Sequence, residues 1–191
     1  MPKRYTPNDK WSRRAAEEGY RARSVYKLME IDDRFRLLKP GMSVLDLGAA
    51  PGSWSQYAAE QVGPKGKVTS VDLSEIEPIE GVTTFVADIT DNDALDKILP
   101  EMVGLVISDL APKTSGIQDV DQWKSIELSQ SVLETVRKRL KPGGKCVIKV
   151  LRGADFDEFL KECKEEWTEV KTFQARASRD RSKEIYVILT N

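Results

Sequence analysis

Short β-branched runs alternate with helical stretches along most of this chain, and that alternation restricts the fold more than any other feature. Strands are expected at residues 43–47, 67–72, 82–86, 104–109, 145–151 and 183–189, with a weaker one near Val170. Helical periodicity fills residues 53–62, 94–99, 121–140 and 155–167. The longest of these carries Ile126, Leu128, Val132, Leu133, Val136 and Leu140 as a one-sided apolar stripe. Strands separated by helices pair in parallel through βαβ crossovers. The chain therefore reads as an α/β domain, a doubly wound, mostly parallel sheet with helices on both faces.

Sheets of this kind hold ligands beyond the carboxyl ends of their strands, so strand ends are where chemistry is sought. Here they carry Asp46, Asp72, Asp88 and Asp109, with Lys149 late in the fifth strand. The first strand runs into a glycine turn and a helix, DLGAAPGSWSQY, from Asp46 to Tyr57. Gly48 and Gly52 let backbone approach a ligand, and the helix start favours polar groups. A dinucleotide fingerprint needs G-x-G-x-x-G, but Ala50 holds its second glycine position and Pro51 follows. Asp72 is placed to accept the two hydroxyls of an adenosine ribose, and Asp88 to meet an adenine edge. Turn, ribose acid and base acid together fit S-adenosylmethionine better than NAD. A plain nucleotide-fold turn with no ligand, or with another nucleotide, stays open at this level.

Composition closes other routes. The 191 residues include no histidine and only two cysteines, Cys146 and Cys163. Zinc sites built from His and Cys lack ligands, and Ser-His or Cys-His nucleophilic catalysis lacks an imidazole. Two separated cysteines make no disulfide framework, so a reducing cytoplasmic setting is expected. The polar N-terminus, MPKRYTPNDKWSRR, has no signal-peptide core, and no apolar run approaches the ~20 residues that span a bilayer. One domain is expected over 1–191: a basic helical extension at 1–40 and a core at 41–191. In the extension, Ser24 is placed to cap a helix carrying Val25, Leu28, Ile31 and Phe35.

The segments DLGAAPGSWSQY, SDLAPKTSG, VIKVLRG and SRDRSKEIYVI together resemble the FtsJ-type RNA 2′-O-ribose methyltransferases, from about Arg21 to Leu189. The resemblance implies a Rossmann-like class I methyltransferase fold, with seven strands of which the last is antiparallel. It implies S-adenosylmethionine as cofactor, no metal, and a Lys-Asp-Lys-Glu tetrad. By motif the tetrad falls on Lys27, Asp109, Lys149 and Glu184, and the cofactor contacts on Gly52, Trp54, Asp72, Asp88 and Asp109. Taken singly these residues have plainer readings. Lys149 reads as an edge lysine, Lys27 as a solvated helix residue, and Glu184 as a partner of Lys183 or Arg181. Only the joint match makes them a site. Without histidine, a lysine must act as the base, and burial or a neighbouring cation favours its neutral form. Lys149 is assigned that role, with Lys27 as the neighbouring cation that also holds the ribose. Asp109 then orients Lys149, and Glu184 positions the lysines or the hydroxyl.

The formal charge of −1 conceals a division along the chain. Residues 1–40 hold 11 basic and 6 acidic side chains, residues 41–136 hold 5 and 16, and residues 137–191 hold 14 and 9. Basic ends suit phosphate and the acidic middle suits a sulfonium. Phosphate contacts are expected from Arg13, Arg14, Arg21, Arg23, Arg176, Arg179 and Arg181, and base stacking from Trp11 and Tyr20. The resemblance implies methylation of a uridine in large-subunit (23S-type) ribosomal RNA, on the assembled or nearly assembled large subunit, and a monomeric, cytoplasmic enzyme is expected. Three alternatives stand beside it: tRNA ribose methylation within the family, a noncatalytic RNA-binding assembly factor, and an NAD-dependent oxidoreductase.

Overall fold

The computed structural model describes residues 9–178 and 182–191. Two helices, α1 (Lys10–Glu17) and α2 (Val25–Phe35), precede the first strand. The core then runs β1 (Ser43–Leu47), α3 (Ser53–Val62), β2 (Lys67–Asp72), β3 (Val82–Val86), α4 (Asn92–Ile98) and β4 (Val103–Ser108). It ends with α5 (Gln118–Arg139), β5 (Leu140–Leu151), α6 (Phe156–Glu166), β6 (Glu169–Phe173) and β7 (Glu184–Thr190). The seven strands form one sheet in the order β3-β2-β1-β4-β5-β7-β6. Neighbours from β3 to β5 are parallel, and β7 is antiparallel to both β5 and β6. The expected sheet, antiparallel last strand included, is present. No helix among the described residues is long and apolar enough to cross a membrane.

Period-two alternation along each strand sorts the side chains into two cores. Leu45, Leu47, Val106, Cys146, Ile148, Val150, Val187 and Leu189 face α4, α5 and α6. Val44, Leu105, Ile107, Val147, Tyr186 and Ile188 face α2 and α3, where Leu28, Ile31, Trp54 and Ala58 cover them. Burying one such aliphatic side chain contributes roughly 1.5–3 kcal/mol, so the two sandwiched layers hold the rim rigid. The same alternation places Asp46, Lys149 and Glu184 on the α2–α3 face, two residues from Val44, Val147 and Tyr186 respectively. Residues 10–35 thus supply one cover of that face rather than a loose arm, with Ala15, Val25, Tyr26, Leu28 and Ile31 all buried.

Two local expectations change. Ser24 stands at the start of α2 but has helical backbone angles and makes no capping bond; its hydroxyl meets that of Ser53 at 2.9 Å. Leu140 opens β5 instead of closing the preceding helix. The strand there starts before the Lys141-Pro-Gly-Gly stretch, and the β4–β5 register shifts between Val103 and Leu105 to absorb it. Arg179 and Arg181 lie outside the described residues.

Candidate active site

The turn after β1 is shaped by two glycines with left-handed backbone. Gly48 (φ +77°) passes so close to Leu110 that a Cβ would lie 2.1 Å from its Cδ2. Gly52 (φ +106°) opens α3, and a Cβ there would meet Ile79 at 2.6 Å and Arg21 Nη1 at 3.1 Å. Ala50 donates its amide to Asp72 Oδ2 at 3.0 Å, while Ser74 donates to Oδ1 at 2.8 Å. Asp72 therefore holds the turn as well as standing at its rim. Asp88 is exposed and accepts from the amide and hydroxyl of Thr90 at 2.9 and 2.8 Å. Those bonds hold its carboxyl below the usual range, as an acceptor at neutral pH. Leu73 and Val86, next to Asp72 in sequence and in register, are 66% and 63% exposed and offer apolar walls. Trp54 is buried, donates its indole N–H to the Ser24 carbonyl at 2.8 Å, and tilts against Tyr186.

Asp46, with 1% of its surface exposed, sits beneath this turn. Its carboxylate accepts from Ser55 at 2.6 Å, and Ser55 also meets Ser70 at 2.7 Å. Burial pushes the Asp46 carboxyl up to about 7; the negative charges of Asp109 and Asp72 add to this, and the Ser55 bond opposes it. Asp46, Gly48, Ala49, Ala50, Ser53, Trp54, Ser24 and Asp109 enclose a small cavity.

The four tetrad residues form two ion pairs. Lys27, 8% exposed on α2, reaches Glu184 Oε2 at 2.6 Å, from the helix across to the start of β7. Lys149, 6% exposed, donates to the Asp109 carbonyl at 2.6 Å and lies 3.1 Å from its Oδ1. Burial is the largest influence on Glu184 and raises its pKa, but Lys27 above all, with Lys149 and Ser178, outweighs it and holds the carboxyl below its ordinary value. The plainer readings fail here: neither lysine is solvated, and Glu184 pairs with Lys27. Because each ammonium is matched to a carboxylate, Lys27 does not confront Lys149 as a bare cation. Ser24 borders both the cavity at Asp109 and an adjoining cleft of about 260 Å³ lined by Arg23, Lys27 and Glu184.

One member of this cluster is missing from the sequence reading. Tyr186 pairs directly with Lys149 across β5 and β7, is fully buried, and donates its hydroxyl to Asp109 Oδ1 at 2.7 Å. Burial and then the Asp109 charge keep it firmly protonated. A tyrosine in an alternating strand reads as core; only the register shows that its hydroxyl reaches the rim.

Several expected nucleic-acid contacts are committed within the fold. Arg21 donates to the carbonyls of Pro51, Glu77 and Pro78 at 2.8–3.0 Å, which clamps the glycine turn to the loop after β2. Arg23 pairs with Asp9 at 2.5 Å and donates to the Ala177 carbonyl at 2.6 Å, and Arg14 pairs with Glu18 at 2.7 Å. Trp11 packs on Tyr26 with ring centres 5.2 Å apart, and Tyr20 donates to Glu60 at 2.6 Å. Arg13 and Arg176 stay exposed.

The FtsJ-like methyltransferase family profile matches residues 20–191. The chain belongs to that family. A ribosomal RNA large subunit methyltransferase E from Methanothrix thermoacetophila is 48% identical over 183 residues, covering 94% of this chain and 71% of that protein. A protein of the same name from Azoarcus sp. is 45% identical over 185 residues, covering 95% and 90%. Among solved structures, one assigned as a ribosomal RNA methyltransferase from Plasmodium falciparum superposes with a TM-score of 0.80 at 27% identity, covering 90% of this chain and 98% of that one. As an FtsJ-like methyltransferase, the chain is an enzyme, and its two buried ion pairs stand at the carboxyl edge of a methyltransferase sheet.

Proposed function

We propose that this FtsJ-like methyltransferase transfers a methyl group from S-adenosylmethionine to the 2′-hydroxyl of a uridine in large-subunit (23S-type) ribosomal RNA. The observation that carries the reading is the pair of buried, separately matched lysines at the rim, beside a cleft open enough for a ribose. The residues present fit the cofactor. Asp46 is buried close to Asp109 and Asp72, and their charges raise it on top of burial. A sulfonium cation relieves this, and a phosphate would aggravate it. Asp72, Asp88, Leu73 and Val86 suit a ribose and a neutral base, and the turn at Gly48–Trp54 suits the polar tail.

When bound, S-adenosylmethionine supplies an activated methyl group on a sulfonium sulfur. Lys27 and Glu184 hold the acceptor ribose in the cleft they line. Lys149 gives its own proton to solvent as the acceptor enters, and its Nζ then takes the 2′-hydroxyl proton while the methyl's bond to sulfur breaks and the new C–O bond forms, the electron pair staying on the departing sulfur. Asp109 fixes Nζ through its carbonyl and carboxylate, and Tyr186 fixes Asp109. Holding the reactants in line contributes several kcal/mol, and a positioned base a further factor of about 10²–10⁴. The enzyme acts as a cytoplasmic monomer of one domain, on the large subunit or its precursor.

Lys149→Ala and Lys149→Met, which keeps the stem's packing, should bind S-adenosylmethionine normally. Both should lose methyl transfer by about 10²–10⁴-fold, measured as label entering large subunits isolated without the modification. Near-normal turnover in Lys149→Met removes the base assignment. Label entering tRNA and not ribosomal RNA transfers the assignment to the tRNA branch of the family.

A further inference from the structure

A second cleft, of about 420 Å³, lies on the other side of Glu184. It is lined by Arg152, Gly153, Gln174, Ser182, Lys183, Glu184 and Ile185. Its position follows from the sheet. Arg152 leaves the carboxyl end of β5, Lys183 enters β7, and the Arg152 amide donates to the Lys183 carbonyl at 2.9 Å. That bond joins the backbones of the two basic residues at the rim where the tetrad sits. Both side chains are exposed, and neither forms an ion pair among the described residues. The guanidinium of Arg152 is steadied over the Phe156 ring at 5.9 Å. Glu184, the acid of the cleft, is taken by Lys27 on its other side. Two like charges that line one cleft with no carboxylate partner among the described residues favour an anion with several oxygens between them.

We infer that this cleft binds a backbone phosphate of the nucleotide next to the methylated ribose, with Arg152 and Lys183 as its ligands. The inference rests on the proposed RNA reaction and adds a location that the arginines near the N-terminus do not supply. The cleft and the acceptor cleft share Glu184 as a common wall. A strand with its ribose at Lys27 and Glu184 therefore carries its next phosphate across that wall. Gln174 stands at the same mouth as a neutral donor. Contacts of this sort fix register and contribute affinity without reading sequence.

The test is the double variant Arg152→Gln/Lys183→Gln against a control with the same charge change on the outer face of α6, Lys161→Gln/Lys164→Gln. Binding of a short single-stranded RNA is followed by fluorescence anisotropy between 50 and 200 mM salt, and S-adenosylmethionine binding by calorimetry. Two lost phosphate contacts flatten the salt dependence by about 1.4 logarithmic units per unit, which is about sevenfold over that salt range. The site variant should bind RNA more weakly at low salt, with the shallower slope and unchanged cofactor affinity, while the control tracks the wild type. Wild-type RNA binding together with equal affinity and slope in the site variant overturns the cleft and leaves the reaction standing. A wild type that neither binds nor methylates RNA overturns both.

Discussion

Removing Glu184 from its pair with Lys27 tests whether these charges are held for stability or for chemistry. The pair is 2.6 Å long, with side-chain exposures of 10% for Lys27 and 21% for Glu184. Losing one partner of a fully buried pair costs about 3–5 kcal/mol, because the survivor stays desolvated and unmatched. Glu184 is partly open, and Lys27 borders the acceptor cleft, so water recovers some of that loss. We expect Glu184→Gln and Lys27→Met each to destabilise by about 2–3 kcal/mol at neutral pH, or about 4–12 °C in Tm for a chain of this size. An apolar pair in the same place should be nearly neutral. Lys27→Met/Glu184→Met is therefore expected within about 1 kcal/mol of the wild type while methyl transfer is lost. The acid dependence follows from the lowered Glu184 carboxyl. A carboxyl lowered by folding adds stability that is fully present above its unfolded value of 4.5 and disappears as pH falls through its folded value. The gap between wild type and Glu184→Gln should thus be constant from neutral pH to about 5 and close below it. Urea unfolding at a series of pH values measures this. Single variants as stable as wild type, or a double variant as unstable as the two losses added, would refute the reasoning.

Two further outcomes are expected. Tyr186→Phe removes one hydrogen bond to a carboxylate without opening a cavity. It should cost about 1.5–3 kcal/mol in urea unfolding and lower kcat while cofactor affinity holds; an unchanged kcat removes Tyr186 from the positioning of Asp109. Asp46, raised to about 7 by burial first and by its acidic neighbours second, retains a proton in the folded protein until near neutrality. Arrival of a sulfonium favours its charged form, so cofactor binding near pH 6 to 7 should release a proton. Calorimetry in buffers of different ionisation enthalpy detects that release; it should vanish in Asp46→Asn, and buffer-independent enthalpies for the wild type contradict it.

The legibility of this chain divides by the range of the interaction involved. Residues 43–47, 53–62, 67–72 and 82–86 match their elements because period and turn chemistry are written locally. The start of β5 is not legible, since Lys141-Pro-Gly-Gly reads as a break and only pairing with β4 draws Leu140 into the strand. Arg21 is indistinguishable in sequence from a phosphate ligand until the loop at Glu77–Pro78 folds back to offer it carbonyls. The tetrad was legible only through its family motifs, because nothing local in VIKVL or SVYKLME marks a buried lysine. The sheet supplies the physical reason that motif matching leaves out. Lys149 and Tyr186 share one register position, Glu184 lies two residues from Tyr186 on the same face, and that face is the one α2 covers with Lys27. A one-residue slip between β5 and β7 would leave every motif intact in sequence. It would also turn the β7 side chains over, carrying Glu184 and Tyr186 to the α5–α6 side. The Asp109 bond from Tyr186 and the Glu184 bond from Lys27 exist only in the observed register. The site chemistry and the strand pairing are therefore one constraint, and substitutions that shift that pairing should abolish activity before they unfold the chain.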